Sequence, residues 1–184
     1  MGDIQMPEQD EAYQNYVVEH VENVKKVWAA IQPLCVDEWW LDDCLWAAID
    51  SLIKQHDRSK LDDDEYQGYR QWFFPYAGCA KRKEPFDNAW NHHQKANPHH
   101  WQYWLMWKPE ETTPLSMPFP YLFEMLADWA AMSLKFNDTP AEFYKKNRGT
   151  MLLHEKTATG VGNWLPLFCE SVRIIRNQTT ERRD

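Results

Sequence analysis

The sequence predicts an all-α fold, a single compact domain of about six to eight helices. Three observations carry that expectation. Apolar residues recur at three- and four-residue steps along most of the chain. Proline and glycine gather in two stretches, 75–85 and 108–118, that separate the periodic segments. No segment shows the strict alternation of a half-buried strand. A chain of 184 residues suits one domain with a substantial core. We divide it into a helical domain over 1–176 and a flexible polar tail over 177–184.

The first helix is expected over 8–31, where Tyr13, Val17, His20, Val24, Val27 and Ile31 share one stripe and Pro33 follows. His20 therefore faces inward. A second helix should start at Asp37 as its N-cap and carry Leu41, Leu45, Ile49, Leu52 and Ile53 to His56. Asp57 then falls at the helix end, where it can aim at the same point as its neighbour. A third helix is expected to follow Ser59 as its cap, through Tyr69 and Phe73 to Pro75. A fourth puts Phe86, Ala89, Trp90 and His93 on one face. Asn97-Pro98 should restart the helix, Asn as N-cap and Pro in the first turn. On that reading His92 and His93 close one helix, while His99 and His100 open the next. The segment 118–136 reads as a helix burying Leu122, Met125, Leu126, Trp129 and Met132, with Asp128 among them. Thr139, Pro140 and Glu142 make a capping box for a short helix, and a last helix spans 161–175. The tail beyond it is too polar to offset its ordering entropy.

Composition excludes several functions. The formal net charge is -8, which disfavours polymeric nucleic acid, whose binding runs on phosphate neutralisation. The four cysteines are scattered without a CxxC pair, so neither a zinc knuckle nor a disulfide framework is indicated. No apolar run reaches membrane-spanning length, and the first residues lack a secretory pattern. The expectation is a cytoplasmic protein with no membrane partner; an oligomer remains open.

Histidine is distributed unusually. His92, His93, His99 and His100 are four of the seven histidines, crowded among tryptophans in AWNHHQKANPHHWQYW. Together with His20, His56, Asp57 and Asp128 they place metal-ligand side chains on successive helical elements. A buried carboxylate without a partner is costly, so such a set implies hydrogen bonding or a metal. Imidazole and carboxylate suit a divalent transition metal, one ion or two, and do not choose among Mn, Fe, Co, Ni and Zn.

The order of these residues resembles the HD-domain superfamily of metal-dependent phosphohydrolases. The shared pattern is a histidine, an adjacent His-Asp, further histidines and a lone Asp on a later helix, with HDRSK at 56–60 adding a lysine three residues after the Asp. The fuller text is closer still to an uncharacterised family of phage and bacterial proteins with HDxSK, NPHHW and EMxxDW motifs, here HDRSK, NPHHW and EMLADW. The superfamily resemblance implies a first metal held by His20, His56, Asp57 and Asp128, with Asp57 able to bridge to a second. His93 and one of His99 or His100 would ligate that second ion. Lys60 would steady Asp57 or meet a substrate phosphate as a point charge.

The implied activity is hydrolysis of a small phosphorylated metabolite, a nucleotide before others. Such an ion brings the pKa of bound water toward neutrality and polarises a phosphoryl oxygen, and an unligated His99 or His100 could protonate the leaving group. With no phosphate-cradling glycine loop, Lys60, Arg58 or a lysine of the 81–83 stretch would help hold the phosphate. Trp101 and Trp104 are candidates to stack a base, although core packing explains most of the eleven tryptophans. Two alternatives are a di-iron oxygenase of the same superfamily and a non-catalytic phage accessory or nucleotide-binding protein.

Overall fold

The amphipathic stripes become seven α-helices in a computed structural model that describes residues 8–35 and 42–181. In chain order they are α1 (Glu8–Ile31), α2 (Asp43–Gln55), α3 (Asp63–Phe73), α4 (Lys83–Ala96), α5 (Phe119–Phe136), α6 (Pro140–Asn147) and α7 (Glu155–Glu181). The all-α expectation and the helix number hold. Among the described residues, no helix is long and apolar enough to cross a membrane.

Helix α5 is the spine. It packs against α1, α2 and α7, while α3 and α4 pair with each other. The larger core joins Val24, Ile31, Ile53, Leu126, Phe123 and Phe168, and a smaller one joins Tyr13, Val17, Tyr69 and Ala89. Along α1, His20 lies between Val17 of the smaller core and Val24 of the larger. Its stripe position thus sets it where the two apolar clusters meet. Burying a titratable side chain there is unfavourable unless partners surround it.

Gly68 lets α3 and α4 approach. A Cβ on it would stand 2.4 Å from the Pro85 carbonyl oxygen and 2.7 Å from Ala89 Cβ. Glu65 lies one turn before Gly68 and His93 one turn after Ala89, so this close approach brings that pair together.

Local structure departs from the sequence reading at several points. Helix α2 is capped by Asp42, whose carboxylate accepts from the Leu45 N–H at 2.8 Å; the expected cap Asp37, and Leu41, lie outside the described residues. Ser59 does not cap α3. It sits in a 3-10 turn, Arg58–Leu61, and Asp62 takes the cap position. The chain does not restart as an α-helix at Asn97-Pro98. Asn97 closes α4, its N–H bonding the His93 carbonyl and its side chain donating to the same oxygen at 2.8 Å. A turn and the 3-10 segment Trp101–Trp104 follow.

The next residues form a small antiparallel hairpin, β1 (Leu105–Trp107) with β2 (Thr112–Pro114), where the end of the restarted helix and then the 108–118 loop were expected. Three-residue strands are too short to show an alternation in sequence. The capping box of α6 is present, with Thr139 Oγ1 accepting from the Glu142 N–H. Met132 is half-buried, not buried as expected. Helix α7 begins before 161 and continues past Arg176 to Glu181. Arg176 donates to the Ser133 and Asp138 carbonyls, and Thr179 and Thr180 bond back to the carbonyls one turn earlier. Backbone hydrogen bonding carries the helix on where burial ends.

Candidate metal centre

Each ligand-type side chain reaches the centre by a different local device. His20 comes from the middle of α1. His56 is the C-cap residue of α2, and Asp57 follows in the left-handed conformation, φ 56 and ψ 20. That conformation is uncommon for residues with a side chain but accessible to Asp. It lets two consecutive side chains converge, whereas neighbours within a helix diverge by about 100°. His93 comes from the last turn of α4, His99 and His100 from the turn after it, and Asp128 from α5.

They assemble around Asp57, whose two oxygens face different groups of histidines. On one side, Asp57 Oδ2 lies 3.2 Å from His20 Nε2 and 3.4 Å from His56 Nε2. Asp128 Oδ1 completes this group, 3.1 Å from His20 Nε2. On the other side, Asp57 Oδ1 lies 3.3 Å from His93 Nε2 and 3.5 Å from His99 Nε2. Asp57, His93, His99 and His100 offer ligand atoms within 4.8 Å of one another, as do His20, His56 and Asp128. Both sets could hold a metal ion. The sequence reading required a choice between His99 and His100, and the turn brings both in. Of the other pair, His93 is buried at the centre, while the His92 side chain is 40% exposed and reaches Glu65 and Asp64 from the outer side.

A carboxylate layer lies behind the histidines. Glu124 Oε1 is 3.0 Å from His56 Nδ1 and 3.2 Å from His99 Nδ1. Glu65 Oε2 is 2.7 Å from His93 Nδ1, and its other oxygen 2.8 Å from His92 Nδ1. A carboxylate can only accept, so each of these Nδ1 atoms carries the proton. In His56, His93 and His99 a neutral imidazole so held keeps the Nε2 lone pair, on the side that faces Asp57, for a ligand. This is how carboxylates fix metal-binding histidines. Neither glutamate was anticipated. Glu124 had a visible signal, since it lies four residues before Asp128 in EMLADW and so on the same helix face. Glu65 had none, because an acid in the first turn of a helix reads as a solvated residue favoured by the helix dipole.

The electrostatics follow from this crowding. Burial works to lower the pKa of His56, but Asp57, Asp128 and Glu124 outweigh it and push it up to about 9. His20 is raised by Asp128 and Asp57 against the same burial effect. For Asp57, burial would raise the carboxyl, yet His56, Lys60 and His93 hold it well below the usual range. Asp128 is held low in the same way by His20 and His56. His100 differs. Burial, then the neighbouring His99 and His93, keep it well below the ordinary imidazole value, so it is neutral. Lys60 Nζ lies 2.5 Å from Asp57 Oδ2, and its pKa, which burial alone would depress, is raised by Asp57.

Three buried polar atoms at the second group are left without a hydrogen-bond partner: Asp57 Oδ1, His99 Nε2 and His100 Nε2. Desolvated atoms of this kind are expensive to leave unmatched. Two imidazole nitrogens and a carboxylate oxygen orphaned together fit an ion of the transition-metal type.

Of the residues expected to meet substrate, Lys60 and Trp101 line the cavity that opens on the centre. Trp104 does not; its indole donates to the Pro98 carbonyl at 2.7 Å and its ring packs near Tyr121. Arg58 is exposed, and Lys81 stands 5.5 Å from the centre of the Trp72 ring; neither lines the cavity.

Fold and site thus define an all-helical protein with a buried His/Asp/Glu centre able to hold metal. The chain belongs to DUF5662, a family of unknown function, whose model matches residues 9–166. The match takes in all of the side chains just described. No curated protein and no solved structure matches the chain.

Proposed function

We propose that this protein is an HD-domain-like, dinuclear metal-dependent phosphohydrolase acting on a small phosphorylated compound, nucleoside monophosphates included. The observation that carries the reading is Asp57, whose two carboxylate oxygens face separate groups of histidine Nε2 atoms. A carboxylate so placed is suited to bridge two ions. The order of His20, His56-Asp57, the later histidines and Asp128 supports the superfamily assignment.

His20, His56, Asp57 and Asp128 would hold one ion, and Asp57, His93, His99 and His100 the other. When bound, such a pair supplies an acidified water and stabilises charge developing on a phosphoryl oxygen. The chain's own groups set the geometry. Glu124 and Glu65 fix the tautomers of His56, His99 and His93. Lys60 holds Asp57 Oδ2 and presents a positive charge to the cavity. Burial of the centre between the two cores limits water and strengthens each electrostatic contact. A neutral His100 suits a ligand more than a proton donor. His99 does not suit the expected role of proton donor to the leaving group either, because its Nε2 would be a ligand and its Nδ1 faces Glu124.

The test is elemental analysis of protein purified without a metal-affinity tag, combined with phosphate release before and after chelation. The proposal expects two ions per chain and release that chelation abolishes. Two irons with visible absorption and oxygen-dependent turnover, without phosphate release, would place the chain with the oxygenases instead. Absence of both metal and turnover would leave the non-catalytic reading.

A further inference from the structure

The cavity opening on the centre has a volume of about 510 Å³, within the range of small-molecule sites. Helix α5 forms one wall. Asp128, Met132 and Phe136 all line the cavity, and their four-residue spacing puts them on one face. Eight residues at ~1.5 Å each carry that face roughly 12 Å from the Asp128 position. Rings from α4 and α6, Phe86, Trp90 and Phe143, add further apolar lining.

Charge is distributed unevenly. Lys60 is the only lysine or arginine among the described lining residues, and its ammonium is already engaged by Asp57. Lys135, which is exposed and stands 3.8 Å from the centre of the Tyr16 ring, does not line the cavity. Away from the centre the lining adds a carboxylate, Asp138, and no cation. Arg176 reaches the lining residues Ser133 and Asp138 only at their carbonyl oxygens, which already hold its guanidinium. A second phosphate there would lie beside the Asp138 carboxylate and the Met132 and Phe143 side chains, with no lysine or arginine of the described lining to balance it, which is unfavourable.

Building on the proposed function, we infer that the ligand has one oxyanionic head of the phosphate-ester class. Its body is an elongated aromatic or aliphatic group carrying no further negative charge. The head is drawn to the centre, and the body lies along Met132 and Phe136. Nucleoside di- and triphosphates are poor ligands on this account.

Equilibrium dialysis of the metal-loaded protein against three non-hydrolysable probes tests the inference: methylphosphonate, naphthylmethylphosphonate, and the same naphthyl compound with a ring sulfonate. Burial of the ring should make the naphthyl compound bind at least about tenfold tighter than methylphosphonate. The sulfonate should remove most of that gain. Equal binding of all three, or no binding of the naphthyl compound, would overturn the inference. Phosphate release from methyl and naphthyl phosphate separates it from the hydrolase reading. Ring-dependent binding without any release removes the hydrolase and keeps the ligand class. Release at equal kcat/KM from both esters keeps the hydrolase and overturns the ligand class.

Discussion

Glu124 and Asp128 stand one turn apart on α5 and approach the same imidazole from opposite edges. Glu124 Oε1 is 3.0 Å from His56 Nδ1, and Asp128 Oδ1 is 3.8 Å from His56 Nε2. One helix face thus supplies a candidate ligand and the group that orients its neighbour. The same Glu124 oxygen is within reach of His99 Nδ1, so it touches a histidine of each metal-ligating group.

Glu124→Gln keeps an acceptor oxygen in place but removes the charge that makes the two imidazoles more basic. Losing a carboxylate behind a metal-binding histidine lowers affinity by roughly 10–100-fold. We expect that loss at both groups together, measured by competitive titration against a chelating dye. Glu124→Ala should be worse, since it leaves two buried N–H groups unpaired. Unaltered affinity in the Gln variant would show that Glu124 has only a packing role.

Stability without metal should depend on pH in a defined direction. His56, at about 9, lies above its ordinary value of 6.5, and His20 and His99 are raised as well. A raised imidazole contributes stability that is complete below the unfolded value and disappears as pH climbs through the folded one. Asp57 and Asp128 are depressed, so their contribution is present above the carboxyl range and lost only on acidification. His100, also depressed, is already neutral above 6.5 and adds no dependence there. Lys60, raised from 10.5, titrates above the interval. The chelated protein should therefore lose Tm steadily between pH 6.5 and 9. Metal needs the same nitrogens deprotonated, so the loaded protein should gain on the chelated one over that interval. Calorimetry on both forms checks the divergence; parallel curves would place the imidazoles outside the metal's reach.

Gly68→Ala should disturb the centre from a distance. The added Cβ meets the Pro85 carbonyl, which is backbone and cannot rotate away. Overpacking of this kind costs about 1–3 kcal/mol. Separation of α3 from α4 should also pull Glu65 from His93, so the variant should lose the ion held by His93, His99 and His100 before the other. A variant with normal stability and full metal content would refute the linkage.

Much of this centre was legible in the sequence, for a physical reason. His20 lies on a stripe whose 3.6-residue period fixes the direction of every side chain, and Asp128 is carried by the same logic on α5. The His56-Asp57 convergence could be expected at a helix end, but the left-handed turn of Asp57 that produces it has no periodic signature. His99 and His100 were read as helical, which would have pointed them apart; they lie in a turn after Asn97, and both reach the centre. Glu65 and Glu124 were missed because a glutamate on a helix is ordinarily solvated. Its role as a buried acceptor shows only when another element brings a histidine to it. The hairpin and the extension of α7 rest on backbone hydrogen bonds, which leave little trace in side-chain pattern.

The account rests most on Asp57, and Asp57→Asn tests it directly. Asn tolerates the left-handed backbone, so the turn should persist, while the charge that balances two ions and the bridging carboxylate are removed. Metal stoichiometry by elemental analysis, with the melting temperature of the chelated protein measured on the same preparation, is the decisive pair. We predict that the variant folds without metal and that its affinity for both ions falls at least about tenfold. An Asn variant that retains two ions per chain would contradict the bridging role of Asp57 and the metal centre built around it.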